Sequence, residues 1–171
     1  MCPDLSVENA SGAPRTLTEV MDYFSNLEIA TNFLAKLRWP EGPVCPRCGG
    51  KEHSYLRTRR LWKCKACKNQ FSVKVGTIFE GSPVGLDKWL AMIWRLANST
   101  DEISSYEIHP IIGVTQKTAW SMMRRIRLAM QDEASEAGGK IMKKESRNGQ
   151  DEEFKNFKEL TQKLLAISNR N

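Results

Sequence analysis

"CPRCGGKEHSYLRTRRLWKCKAC", residues 45–67, holds four of the chain's five cysteines as two Cys-x-x-Cys pairs, Cys45/Cys48 and Cys64/Cys67. A Cys-x-x-Cys turn brings two thiolates within reach of one metal ion, and two such turns on facing hairpins complete a tetrahedron. The spacing therefore predicts a closed four-cysteine zinc ribbon with one hairpin excursion between the pairs. A redox dithiol is the rival reading, but it needs only one pair, usually at a helix start in a larger α/β fold. His53 lies between the pairs; with four thiolates in place it is expected as a surface histidine rather than a ligand. The site has no open position and no adjacent carboxylate, so Zn2+ is expected to be structural. It would supply folding energy that so small a core lacks.

Seven Lys or Arg stand within and between the two pairs. The 171-residue chain carries a net charge of +6, and the excess is concentrated. Residues 36–75 contain eleven Lys/Arg against Glu41 and Glu52, and residues 115–131 contain four basic residues and no acid. Two such blocks point to a polyanion partner, with Arg57, Arg59, Arg60 and Lys63 as candidate phosphate contacts. A solvated basic surface, or lysines that merely neutralise the thiolates, is the bland alternative. No apolar run approaches ~18 residues, which argues against a membrane span. "MCPDLSVENASGAPRT" (1–16) lacks the basic start and apolar core of a secretory signal. A cytoplasmic location is therefore expected, where reduced thiols favour metal over disulfide. Cys2 reads as a free thiol near the terminus.

Outward from the ribbon the pattern is helical. Residues 1–15 read as disordered, and residues 16–39 as a pair of short helices broken near Ser25. "TLTE" (16–19) and "SNLE" (25–28) have the form of capping boxes. The ribbon is assigned to residues 40–80, with strands in "HSYLRTRRLWKC" and in "NQFSVKVGTIF", where Phe71, Val73 and Val75 alternate. Residues 132–153 read as a polar linker, and residues 154–168 as an amphipathic helix carrying Phe154, Phe157, Leu160, Leu164 and Leu165 on one face.

Residues 84–131 read as a helix-turn-helix domain. Ile103, Tyr106 and Ile111/Ile112 would form the inner face of its first helix, Gly113 the turn, and Thr115 the cap of the second. Pro110 is awkward within that first helix and suggests a late start or a kink. Ala119, Met122, Ile126 and Met130 would face inward. Gln116, Lys117, Thr118, Ser121, Arg124 and Arg125 remain as candidate DNA contacts, because such side chains bond base edges and phosphates from a helix in the major groove. Trp89, Trp94 and Trp120 all sit at helical spacing with aliphatic residues and read as core rather than as a stacking platform. The fold class is thus α+β small domains: mostly helical, with a four-cysteine zinc ribbon of short β-hairpins followed by a helix-turn-helix.

The order "LRWPEGPVCPRCGG", "LWKCKACKNQFSVKVGTIFEGSPVGLDKWL", "GVTQKTAWSMMRRIRLAM" resembles the N-terminal part of zinc-ribbon insertion-sequence transposases. The resemblance implies a helix-turn-helix that recognises the element's terminal repeats in double-stranded DNA. It further implies an RNase H-like DDE catalytic domain beyond this region. "QDEASEAGGK" (131–140) is similar to a worn trace of that domain's first acidic stretch, with the family's Thr absent. Only 31 residues follow Lys140. The expectation is a transposase-family DNA-binding protein whose catalytic core is missing, with no catalytic residue assigned. The alternatives are a transposase-derived regulator or inhibitor, acting on DNA or on full-length transposase as an oligomer partner, and an active DDE transposase.

Overall fold

The computed structural model describes residues 14–99, 103–137 and 150–167. Within them the chain is mixed α+β: six helices and a three-stranded antiparallel sheet. The helices are α1 (Leu17–Ser25), α2 (Leu27–Arg38), α3 (Leu86–Ala97), α4 (Ser105–Ile112), α5 (Gln116–Ala137) and α6 (Gln150–Ile167). Strands β1 (His53–Leu56), β2 (Leu61–Cys64) and β3 (Gln70–Phe71) lie in sequence order across the sheet.

The α1/α2 break has local causes. Thr16 Oγ1 accepts from the Glu19 amide and starts α1, while the Glu19 carboxylate reaches past it to the Arg15 amide. Ser25 does not cap α2 as its capping-box form suggested. Its hydroxyl instead donates to Asp22 O within α1, and Asn26 caps α2 by accepting from the Glu28 amide. The expected strand over 71–75 is also shorter than its alternation implied. Only Gln70–Phe71 pairs with β2, and the chain then runs through successive turns to Glu80. The hydroxyls of Ser72 and Thr77 accept from the amides of Lys74 and Phe79, so the local backbone has partners other than a ladder. Phe71 and Val73 are buried all the same, which is why the alternation was visible.

Helices α1, α2, α3 and α6 share one core. Phe33 stacks on Phe157 at 5.5 Å, and Phe157 also meets Trp94 at 5.3 Å and Phe24 at 6.0 Å. The C-terminal helix therefore uses its apolar face inside the chain, against α2 and α3, rather than offering it to a partner. Phe157, Leu164 and Leu165 are buried, as the amphipathic pattern indicated. The helix starts at Gln150, and α5 continues to Ala137, so both ends of the expected 132–153 linker are helical. The expected disorder of residues 1–15, including Cys2, falls almost wholly outside the described residues, as does Gly138-Gly139-Lys140.

The ribbon is inserted between α2 and α3 and has its own small aromatic core. Trp62 lies between Trp39, Tyr55 and Phe71, with ring centroids 5.1–6.1 Å apart. His53 is half-buried against Phe71 rather than on the surface, because β1 pairs it with Cys64 on the inner side of the hairpin.

Helices α4 and α5 pack on each other and on α3. Ser104 caps α4 in a reciprocal box with Glu107, and Pro110 is accommodated inside the helix without delaying its start. The inner face of α4 is Ser105, Ile108 and Ile112, a three- and four-residue repeat, so Tyr106 and Ile111 point outward. On α5 the inner face is Ala119, Met122, Met123, Ile126 and Ala129, and Met130 falls outside it. Trp120, expected in the core, is 54% exposed. No helix among the described residues is long and apolar enough to cross a membrane.

Candidate metal centre and nucleic-acid interface

The four cysteines converge. Their Sγ atoms all lie within 4.8 Å of one another, and Cys45–Cys67 and Cys48–Cys64 approach to 3.6 Å. A tetrahedron with metal–sulfur bonds of ~2.3 Å has edges of about 3.8 Å, so the cluster is close to the size one zinc-sized ion needs. The two turns are built alike: the Cys45 amide donates to Gly50 O and the Cys64 amide to Asn69 O. Gly49 follows the first pair at φ +70° and Lys68 follows the second at φ +60°. A Cβ on Gly50 would stand 3.2 Å from Cys64 Sγ and 3.3 Å from Cys48 Sγ, so this position is kept clear for the sulfurs.

The backbone also favours ionised sulfur. Burial pushes the Cys45 thiol up, but the amides of Arg47 and Cys48 and the neighbouring thiols bring it down to about 7. The amides of Cys67 and Ala66 hold the Cys64 thiol low against its burial. The Gly50 amide favours a thiolate on Cys48 too, yet the Cys67 and Cys64 sulfurs drive that thiol up to about 12. Four thiols this close cannot all lose their protons without a cation among them. The donor set and its amides thus fit a thiophilic divalent metal.

The basic residues divide into two kinds. Arg59, Arg60 and Lys63 are exposed on and beside the β1–β2 hairpin tip. Arg57 is also exposed, but its Nε pairs with Glu28 Oε1 at 3.0 Å and so ties the hairpin to α2. Arg125 is exposed, as expected, and its Nη1 also donates to the carbonyls of Ile78 and Glu80, at 3.2 and 3.1 Å. Arg38 and Lys74 do similar work on the same loop: Arg38 Nη1 donates to Val73 O and Val75 O, and Lys74 Nζ to Ser82 O and Val84 O. Burial lowers the pKa of both Arg38 and Lys74, as their part-enclosed cationic heads require. Three cations therefore satisfy carbonyls of a segment that has no ladder.

On α5 the turn geometry is that expected of Gly113, which adopts φ +66° and donates to His109 O. Thr115 Oγ1 accepts from the Thr118 amide, as its capping role requires. Gln116 Nε2 donates to Ser105 Oγ and Thr118 shares a hydroxyl contact with Thr115, so both are partly engaged within the two-helix unit. Lys117, Ser121 and Arg124 are exposed on one face, four and three residues apart. Of the ribbon candidates, Arg57, Arg59 and Arg60 lie in the β1–β2 turn and Lys63 on β2; the others lie on α5. Trp120 was missed as a surface residue. Its place three residues after Lys117 and four before Arg124 was the available signal, since that is the exposed face.

Comparison with known proteins bears on this arrangement. Residues 28–70 match the transposase zinc-ribbon domain family of IS1595 type. The match begins in α2, the helix whose Glu28 and Arg38 reach into the ribbon and the loop after it. Over 104 residues the chain is 30% identical to a protein in transposable element ISH50 of Halobacterium salinarum. That alignment covers 59% of this chain and 35% of the relative, so the chain spans about a third of the relative's length. No solved structure matches it. The chain is similar to zinc-ribbon insertion-sequence transposases, as its motif order implied.

Proposed function

We propose that this transposase-like chain binds the terminal repeats of an insertion sequence as double-stranded DNA. Cys45, Cys48, Cys64 and Cys67 hold one Zn2+, which keeps the ribbon folded and takes no part in bond breaking. Arg59, Arg60 and Lys63 contact phosphates from the hairpin. Lys117, Ser121 and Arg124 enter the major groove, where a lysine or arginine pairs with guanine and a serine with either base. Arg57, Gln116, Thr118 and Arg125 keep these elements in place. The α4–turn–α5 unit is then a DNA-reading helix-turn-helix.

The observation that carries this reading is the N-terminal half of α5. A left-handed Gly113 and a Thr115 cap fix its start, and Lys117, Ser121 and Arg124 share an exposed face with no acid between residues 115 and 131. The similarity to a protein of a transposable element supplies the class of DNA. The test is a footprint of the zinc-loaded protein on the repeats that flank its gene. Protection of one major-groove segment at a fixed distance from the element's end, weakened by methylating guanine N7 there, supports the proposal. Uniform protection along the duplex, or none, rejects it.

A further inference from the structure

Beside the exposed face of α5 a groove opens between the start of α4 and the middle of α5. Ile103 and Met123 form its buried part, and Trp120, Arg124, Arg127 and Leu128 line its open part. These four residues stand at offsets of four, seven and eight along α5, one stripe about 12 Å long. The Arg124 guanidinium carbon lies 5.7 Å from the centre of the Trp120 ring. Arg127 Nη2 donates to Ile103 O, which fixes that side chain on the groove wall, and the residue is exposed. Among the described residues no carboxylate lines the groove.

We infer that this groove binds an unpaired nucleotide, with its base on the Trp120 indole and the adjoining phosphate on Arg127. The chemistry of the lining selects the ligand. An exposed indole face is satisfied by another flat ring, and two arginines with no carboxylate among the described lining residues select an anion; a nucleotide offers both. Inside a duplex a base shows only its edges to the grooves, so stacking on Trp120 requires a base freed from its pair. At ~3.4 Å per base, the stripe has room for a few nucleotides. The inference rests on α5 being a DNA-facing helix and adds that the bound end is read where it is opened or single-stranded.

The test uses the zinc-loaded full chain and two probes. One is a blunt duplex of the element's end, and the other is the same duplex with three unpaired nucleotides at its terminus. Wild type should bind the second more tightly. Trp120→Ala should weaken binding to the second about tenfold more than binding to the blunt duplex, the size of one lost base–aromatic stack. Trp120→Phe should restore most of the loss. Trp120 lies outside the core, and an unaltered melting curve verifies that each variant is folded. Equal losses on both probes would mean that Trp120 touches ordinary duplex backbone, which overturns the inference. So does an unchanged affinity of Trp120→Ala for the second probe, in which case the groove serves a ligand other than a nucleotide, such as an acidic peptide. Tight binding to the blunt duplex with no gain from unpaired nucleotides rejects the inference alone; no binding to either probe rejects the reading of α5 as well.

Discussion

Cys48 Sγ lies 3.6 Å from Cys64 Sγ, so this close contact joins the first knuckle to the second rather than the two cysteines of one turn. Cys45 and Cys67 make the other such contact, also 3.6 Å. The metal site is therefore the staple between two separate segments. Its loss should free the ribbon while sparing the helices, whose core around Phe33, Trp94 and Phe157 is built without it.

Cys64→Ala should abolish stoichiometric zinc and unfold the hairpin. Metal analysis should find one zinc per chain in wild type and none held through a chelator wash in the variant. The helical circular-dichroism signal should persist in both. Loss of helix in step with the metal would show that the two cores are not separable.

Gly50→Ala and Gly49→Ala distinguish two reasons for a glycine. At Gly50 a methyl group would press on Cys64 and Cys48 at 3.2–3.3 Å, so overpacking falls on the ligands. Zinc affinity should drop about tenfold, the equivalent of ~1.4 kcal/mol. At Gly49 there is space but φ is +70°, so the cost should appear as ~1 kcal/mol of ribbon stability. Competition with a colorimetric chelator reads the first effect and thermal melting the second. Equal zinc affinity for both variants would contradict the assignment.

Arg124 and Arg125 are neighbours with opposite expected phenotypes. Arg125→Ala removes donors from Ile78 O and Glu80 O and should cost about 1 kcal/mol of stability. Arg124→Ala should leave the melting curve alone and weaken DNA binding, most for the element's own end sequence. Urea melts paired with anisotropy titrations separate them. The reverse pattern would exchange their roles.

Phe157→Ala should destabilise the helical body by about 3–5 kcal/mol, because that ring contacts Phe24, Phe33 and Trp94 together. A shift below ~1 kcal/mol by chemical denaturation would mean that α6 is not part of this core.

The features legible in sequence were those fixed within a few residues. The cysteine knuckles, the Thr16 and Thr115 caps and the Gly113 turn each depend on local bonds, and each was placed correctly. The apolar face of α6 was legible too, but not what it covers, since its partners on α1 and α2 are more than a hundred residues away. Trp94 and Trp120 show the limit most clearly. Both sit at helical spacing among aliphatic residues, yet one is buried and the other 54% exposed. Periodicity reveals that a helix has faces; the neighbouring elements decide which face is covered. Arg125 illustrates the same gap for charge. Its partners are the carbonyls of an irregular loop, and no side-chain pattern encodes where bare carbonyls will lie.

The central claim is that the exposed face of α5 reads the end of an insertion sequence. Its most direct test is the ratio of affinities for the element's end duplex and a shuffled duplex of equal length, at one fixed moderate salt concentration. The account predicts at least roughly a thousandfold preference for the end in wild type, the lower end of the range of specific over non-specific binding. In the Lys117→Ala, Ser121→Ala, Arg124→Ala triple variant that preference should fall to near unity, while the shuffled duplex stays bound through the ribbon. Equal affinity of the wild-type protein for the two duplexes would contradict it.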